Sequence, residues 1–429
     1  MPDASEDLDE GGRSDRRATG VRGALRRLGG RTGWLDWVRV GLLLAGLVCV
    51  LTGLLPAAEA EANMRRIAPL LLFLTCVIVL ANLARQARVF DVIATRLAIA
   101  GRGRYPLLFL LCVAFASATT VFLNLDTTAV LLTPVLLALA ARADIAALPL
   151  AMTTVWLANT ASLLLPVSNL TNLLAADRVA LSAPAFAARM WPSQLVVVAA
   201  TMAFLWVFYW RRRRRGRDTY HPPTPLTFTE PGHTALFRVT GAACLLFVAA
   251  IPFVGDRIGL AAAVAAGVAV AAFAVLDRSH LRAGLVPWQL LVVVTGMFLV
   301  VPTLSRHGLA EVMTALMGSG DPGPLASARA GATGAALSNV LNNLPVYTAG
   351  EAVIPPSGGA HGRDTLLALL IGANAGPLAT PWASLATLLC LESCRRHGLR
   401  VPLARFMLTG LALAAVAVAA GVGVLLLTA

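Results

Sequence analysis

The chain has 429 residues, of which 58% are hydrophobic and 13% charged, with a formal net charge of +13 and a mean hydropathy of +0.75. So few charges cannot cover a soluble protein of this size, and the chain supplies one stretch after another of the ~20 apolar residues that cross a bilayer. All 35 basic residues are arginines clustered between apolar runs, where they orient membrane segments rather than form a nucleic-acid surface.

Residues 1–36 are polar and rich in Gly and Arg, with no apolar h-region or small-residue cleavage site, and read as a disordered basic cytoplasmic tail. Residues 37–210 form a first unit. Plain spans are expected near 38–56, 67–84 and 191–210. The apolar region 105–141 is interrupted by N-L-D-T-T, and 148–175 is broken midway by Pro166 and small polar residues. Residues 211–236, with five consecutive arginines and then His221-Pro222-Pro223, read as a basic cytoplasmic linker. In 237–429 an extra helix at 237–254 precedes spans at 258–276, 286–304 and 403–428. The region 325–353 is interrupted by S-N-V-L-N-N-L-P, and 366–392 is broken at Pro381.

Aligning 157–174 on 372–389, an offset of 215, gives seven identities in 18 positions, among them Asn159/Asn374 and Pro166/Pro381. The same offset superposes Asn124 on Asn339, 43–61 on 258–276 and 71–89 on 286–304. If 105–141 and 325–353 dip in and return on one side, 27 of the 35 arginines fall on the side of the tail and eight on the other. That bias fits the positive-inside rule, with the N-terminus cytoplasmic in a multi-pass inner (plasma) membrane protein. The paired segments then run in opposite directions. The expected fold class is an all-α polytopic membrane protein of two inverted-topology repeats, each with a re-entrant helical hairpin and a broken transmembrane helix, the pattern of secondary transporters.

Polar side chains at membrane depth face protein or a water-filled cavity. Four clusters are candidates for substrate binding. Two are hairpin tips: Asn124, Asp126, Thr127 and Thr128, then Ser338, Asn339, Asn342 and Asn343. Two are helix breaks: Asn159, Thr160, Ser162, Ser168, Asn169 and Asn172, then Asn374, Gly376, Thr380, Ser384 and Thr387. Helix ends at such breaks offer free amides and carbonyls, and Pro134, Pro166, Pro345 and Pro381 help stop or restart the helices. Asp126 is the single carboxylate at a tip centre. Burial favours the protonated form of a carboxyl, so Asp126 is the candidate for proton coupling. Glu351, on the outgoing limb of the second hairpin, is expected near the surface. The clusters hold no Arg and no His, a lining suited to a neutral polyhydroxyl solute such as arsenious acid.

Cys49, Cys76, Cys112 and Cys244 sit singly in apolar runs, and Cys390 and Cys394 stand one helical turn apart without a nearby His. Neither pattern indicates a metal site, a cofactor or a disulfide framework. The absence of a P-loop, HExxH or Gly-x-Ser-x-Gly speaks against an enzyme.

These motifs resemble those of a known family. N-T-A-S-L-L-L-P-V-S-N-L-T-N-L-L-A-A-D (159–177), S-N-V-L-N-N-L-P (338–345), G-A-N-A-G-P-L-A-T-P-W-A-S-L-A-T-L-L (372–389) and N-L-D-T-T-A-V-L-L-T-P (124–134) are similar to segments of the arsenite/antimonite efflux permeases, and the likeness runs from about residue 38 to the C-terminus. The resemblance implies the ion transporter superfamily fold and arsenite–proton antiport by alternating access, assisted in some members by a soluble ATPase subunit. It also implies relatives on the same fold that are sodium- or proton-coupled carriers of dicarboxylates or other small anions. Two departures touch ionisable positions: the family's Asp before T-A-S is Asn159, and its N-D pair is spread into Asn124–Leu125–Asp126. The partners expected are a small-molecule or metalloid substrate and the lipid bilayer, with no nucleic acid; a second copy of the chain, as a homodimer, stays open.

Overall fold

A computed structural model of the protein describes residues 34–211, 219–254, 257–318, 323–355 and 359–428. The tail assigned to 1–36 lies outside the described residues up to position 33, as does the part of the 211–236 linker from 212 to 218.

The described residues fold into helices, eight of which are long and apolar enough to cross a membrane. In chain order they are α1 (Trp34–Leu51), α2 (Ala57–Gln86), α3 (Val89–Ala100), α4 (Tyr105–Leu123) and α5 (Leu125–Arg142). Then follow α6 (Ala147–Thr160), α7 (Leu170–Val179), α8 (Ala183–Trp210), α9 (Pro231–Val254), α10 (Ile258–Leu276) and α11 (Trp288–Met317). The last are α12 (Pro324–Ser338), α13 (Asn343–Val353), α14 (Gly359–Ala375), α15 (Leu385–Arg396) and α16 (Leu403–Leu427). Large apolar side chains such as Leu245, Leu246, Leu260 and Val275 stay exposed on α9 and α10, where the hydrocarbon of a bilayer covers them. This is a multi-pass membrane protein.

The helices sort into two groups. α1, α2, α9, α10 and α11 pack on one another as a scaffold. Small residues bring α1 and α11 close: a Cβ on Gly46 would stand 2.7 Å from Leu299 Cβ, and one on Gly296 2.8 Å from the Leu43 backbone nitrogen. α4–α8 and α12–α16 form a second group, the core, around two helix breaks.

The breaks reveal how the halves are related. The first half of each broken helix lies beside the second half of the other, α6 against α15 and α14 against α7. Broken helices cross in that manner when they run antiparallel. Two hydrogen bonds repeat the relation atom by atom: Asn159 Nδ2 donates to Thr387 Oγ1 at 3.2 Å, and Asn374 Nδ2 to Asn172 Oδ1 at 2.7 Å. At the 215 offset, Asn159 corresponds to Asn374 and Asn172 to Thr387, so each bond is the image of the other, as across a two-fold axis. The hairpins follow suit. The α4–α5 hairpin packs on α6 and α15, and the α12–α13 hairpin on α14 and α7, so they approach the centre from opposite ends.

The single offset fails away from the breaks. Residues 43–61 contain the turn between α1 and α2 and so cannot match the unbroken α10; α2 and α11, both 30 residues long, correspond at an offset of 231 instead. At the tips, Asn124 takes φ 81° and ψ 166° and caps the outgoing limb. The second residue in that role is Asn342, at φ 127° and ψ 154°, while Asn339 is still helical. Loop and helix lengths have drifted between the halves, whereas the breaks kept their spacing. α3 was not anticipated. It lies under the first hairpin, touching α4 and the end of α5.

Candidate functional site

The two tips and both breaks line one cavity of about 180 Å³. Its polar lining comes from Asp126 at the first tip, Asn342 and Asn343 at the second, and Asn169 at the first break, with Trp382 from the second break. The opposite wall is scaffold: Leu42 of α1, Leu74 of α2, and Val294 and Met297 of α11, with Arg39 of α1 beside them. A second cavity of about 550 Å³ shares Arg39, Asp126, Leu290 and Leu385 with the first and extends toward Asn82, Arg85 and the 284–289 turn. The site therefore lies between scaffold and core, and it opens toward the end of the molecule that carries Arg85.

Local sequence shapes each tip. Asparagine tolerates the left-handed region better than other side chains carrying a Cβ. Asn124 caps its limb by accepting from the Thr127 amide at 2.9 Å, and its carbonyl accepts the Thr128 hydroxyl at 2.9 Å. The first turns of α5 then widen into a π-type turn at Thr128–Leu132 just before Pro134, a local irregularity common at functional sites. The Asn342 side chain accepts from the Leu344 amide and donates to the Trp382 carbonyl, and the Asn343 amide donates to the Ala383 carbonyl. The second tip is thus fastened to the second break.

Most candidate residues build this frame rather than face the cavity. Asn339 acts as a four-way staple: its side chain accepts the Ala379 and Thr380 amides and donates to the Ala335 and Gly376 carbonyls, while Thr380 Oγ1 donates to its backbone. Asn374 Oδ1 accepts from Asn169 Nδ2 at 2.9 Å and Thr171 Oγ1 at 2.8 Å. Asn172 Nδ2 ties the first break through the Ser162 and Leu165 carbonyls. Thr160 and Ser162 bond back to the preceding turn, Ser168 Oγ donates to the Val121 carbonyl, and Ser384 caps α15 at the Thr387 amide. Gly376 is a close-packing residue, since a Cβ there would lie 2.5 Å from Ala335 Cα. Of the nineteen candidates, Asp126, Thr127, Asn169, Asn342 and Asn343 line the cavities.

Four buried polar atoms of the candidate set have no hydrogen-bond partner among the described residues: Asp126 Oδ1, Thr127 Oγ1, Asn159 Oδ1 and Ser338 Oγ. A buried polar atom left unmatched costs about 1–3 kcal/mol, so such atoms mark places where a solute or water completes the bonding. Asp126 and Thr127 combine this with a position on the cavity wall.

Two expectations need correction. The expected lining had no cation, yet Arg39 lines both cavities and Arg85 the larger one. Arg39 was read only as an orienting charge, because a scaffold helix brings it to the site through packing. Glu351, expected near the surface, is buried and paired with Arg66 at 2.7 Å. Cys390 and Cys394 are buried away from the cavity, with Cys390 against Thr133.

Comparison with known proteins places this arrangement. The citrate transporter (CitMHS) family profile matches residues 37–362. The chain belongs to that family. An arsenical pump membrane protein of Yersinia enterocolitica is 31% identical over 348 residues, covering 78% of this chain and 80% of the relative. A silicon efflux transporter of Oryza sativa subsp. japonica is 29% identical over 171 residues, 40% of this chain and 35% of the relative. Among solved structures, the YdaH transporter of Alcanivorax borkumensis, described as having an unusual topology, superposes with a TM-score of 0.53 over 92% of this chain and 97% of that one, at 15% identity. This family member is a membrane transporter with that fold.

Proposed function

We propose that the protein is a secondary active transporter that exports arsenite or antimonite in exchange for protons, by alternating access. The observation that carries the reading is Asp126: a carboxylate with an unmatched oxygen, on the wall of a cavity it shares with the amides of Asn169, Asn342 and Asn343 and a single cation, Arg39. The names of the arsenical pump relative and of the silicon efflux relative support the same solute chemistry. Near neutral pH arsenite, antimonite and silicate occur as uncharged hydroxides, whose hydroxyls each donate one hydrogen bond and can also accept.

Coupling follows from that bonding. An ionised Asp126 accepts hydrogen bonds from the hydroxyls of such a solute. A protonated Asp126 accepts fewer and weaker bonds, so the solute binds the ionised form more tightly and proton and solute compete for the site, the requirement for exchange. The 180 Å³ cavity has room for the solute with water, at ~10–15 Å³ of such space for each water molecule. With 27 of 35 arginines assigned to the side of the tail, the open end at Arg85 is cytoplasmic and the membrane is the inner (plasma) membrane.

A second reading has its own observation. Arg39 in the site and Arg85 at its mouth bring two guanidinium groups to the cavity walls, groups that can meet an anion, and the family is described by citrate. A polycarboxylate is held best by several charge-assisted or bidentate contacts, and one guanidinium in the inner cavity favours the neutral solute. The test is accumulation in cells stripped of their own exporters. Expression should lower cellular arsenite, Asp126→Asn should abolish the effect, and labelled citrate and succinate should not be taken up. Unchanged arsenite with sodium- or proton-driven carboxylate uptake would replace the first reading with the second.

A further inference from the structure

At the end of the molecule away from Arg85, a charge cluster crosses between scaffold and core. Arg66 of α2 donates through Nη2 to Glu351 Oε1 at 2.7 Å and through Nε to Asp177 Oδ2 at 3.2 Å. α2 belongs to the scaffold, whereas Glu351 on α13 and Asp177 on α7 belong to the core. Beside them, Arg178 Nη2 donates to the Ile354 carbonyl at 3.3 Å and ties α7 to the end of the second hairpin, within the core. Neither cavity includes any of these residues.

We propose that Arg66, Glu351 and Asp177 form an outer latch, which holds α2 against the second hairpin while the site is open toward Arg85 and parts when the site opens the other way. The inference rests on the alternating-access part of the reading above, and not on the identity of the solute. The side-chain exposures, 37% for Arg66, 6% for Glu351 and 62% for Asp177, suit a latch. A buried Glu351 is costly without its guanidinium, so the closed state holds while the mouth is dry. Once the core moves and water enters, both charges hydrate and little stands against separation. A purely structural ion pair would join elements of one group; this one joins the two bodies that must slide.

The test reads access to the cavity from each side, with no transported solute. Leu341, on the cavity wall and half-exposed, is replaced by cysteine in a parent whose six native cysteines are removed and whose gel-filtration profile is unchanged. Labelling by a membrane-impermeant maleimide is then compared in intact cells and in everted vesicles. The latched protein should label mainly in everted vesicles. Glu351→Gln and Arg66→Gln should raise labelling from outside on the order of tenfold, as expected for losing about 1.4 kcal/mol of bias. The exchange Arg66→Glu with Glu351→Arg, made together with Asp177→Asn so that the new carboxylate does not face a second one, should restore the original pattern. Unchanged outside labelling in the single variants overturns the latch, and so does a rise that the charge exchange fails to reverse, since that signals loosened packing. Parallel arsenite efflux by the parent separates the outcomes: no efflux with latch-dependent labelling refutes the solute and leaves the latch, whereas efflux with latch-independent labelling does the reverse.

Discussion

At both hairpin tips the chain turns on an asparagine at positive φ, and at both breaks an asparagine amide crosses to the other half. These are separate uses of one side chain: Asn124 and Asn342 relieve backbone geometry, while Asn159 and Asn374 supply paired donors in a place without bulk water. Both were legible as polar residues inside apolar runs. Their division of labour was not, because composition cannot say whether an amide faces a helix end or a cavity. Arg39 was legible only as a charge. Across the cavity from the tips, it adds positive potential without contributing an acceptor. For a neutral hydroxide solute, Arg39→Gln should change apparent affinity for arsenite less than about threefold, within roughly 0.6 kcal/mol. Initial rates in everted vesicles at graded arsenite concentrations check this; a loss of affinity of a hundredfold or more would point to an anionic solute bound at Arg39.

At the scale of elements, the breaks and hairpins depend on close backbone approach. A Cβ on Gly372 would stand 2.0 Å from the Gly331 carbonyl oxygen, and one on Gly334 2.8 Å from the Leu369 carbonyl oxygen, so α12 and α14 meet through glycine faces. Gly372→Ala forces backbone apart where neither side can yield and should cost about 3 kcal/mol, the upper range for overpacking. It should lower the melting temperature of the purified protein by several degrees. Gly267→Ala, where nothing lies within 4 Å, should leave it unchanged or raise it, since alanine favours the helix. Equal melting temperatures for the two variants would contradict the packing. The breaks were readable because Asn159/Asn374 and Pro166/Pro381 recur at constant spacing. α3 was not, since twelve residues with Asp91 and Arg96 read equally as a basic loop. Nor was the length of α11, which continues through a kink at His307 and Gly308, where Gly308 takes φ 115° and a hydropathy pattern simply stops.

For the whole molecule, antiparallel halves bring two tips and two breaks to one place between a scaffold and a core. The YdaH transporter shares the fold, and the charge pair at Arg66 and the cavity near Arg85 lie at opposite ends of α2. The inversion could be inferred from arginine placement and the internal repeat. The cavity's apolar far wall could not, because α1, α2 and α11 reach it by packing alone. The most direct measurement of the central claim, that solute and proton compete at Asp126, is proton flux in proteoliposomes carrying a trapped pH dye. Adding arsenite on the Arg85 side should drive protons the opposite way in the wild type and leave the dye signal flat in Asp126→Asn. Sustained proton-coupled arsenite movement in the Asp126→Asn protein would contradict the account.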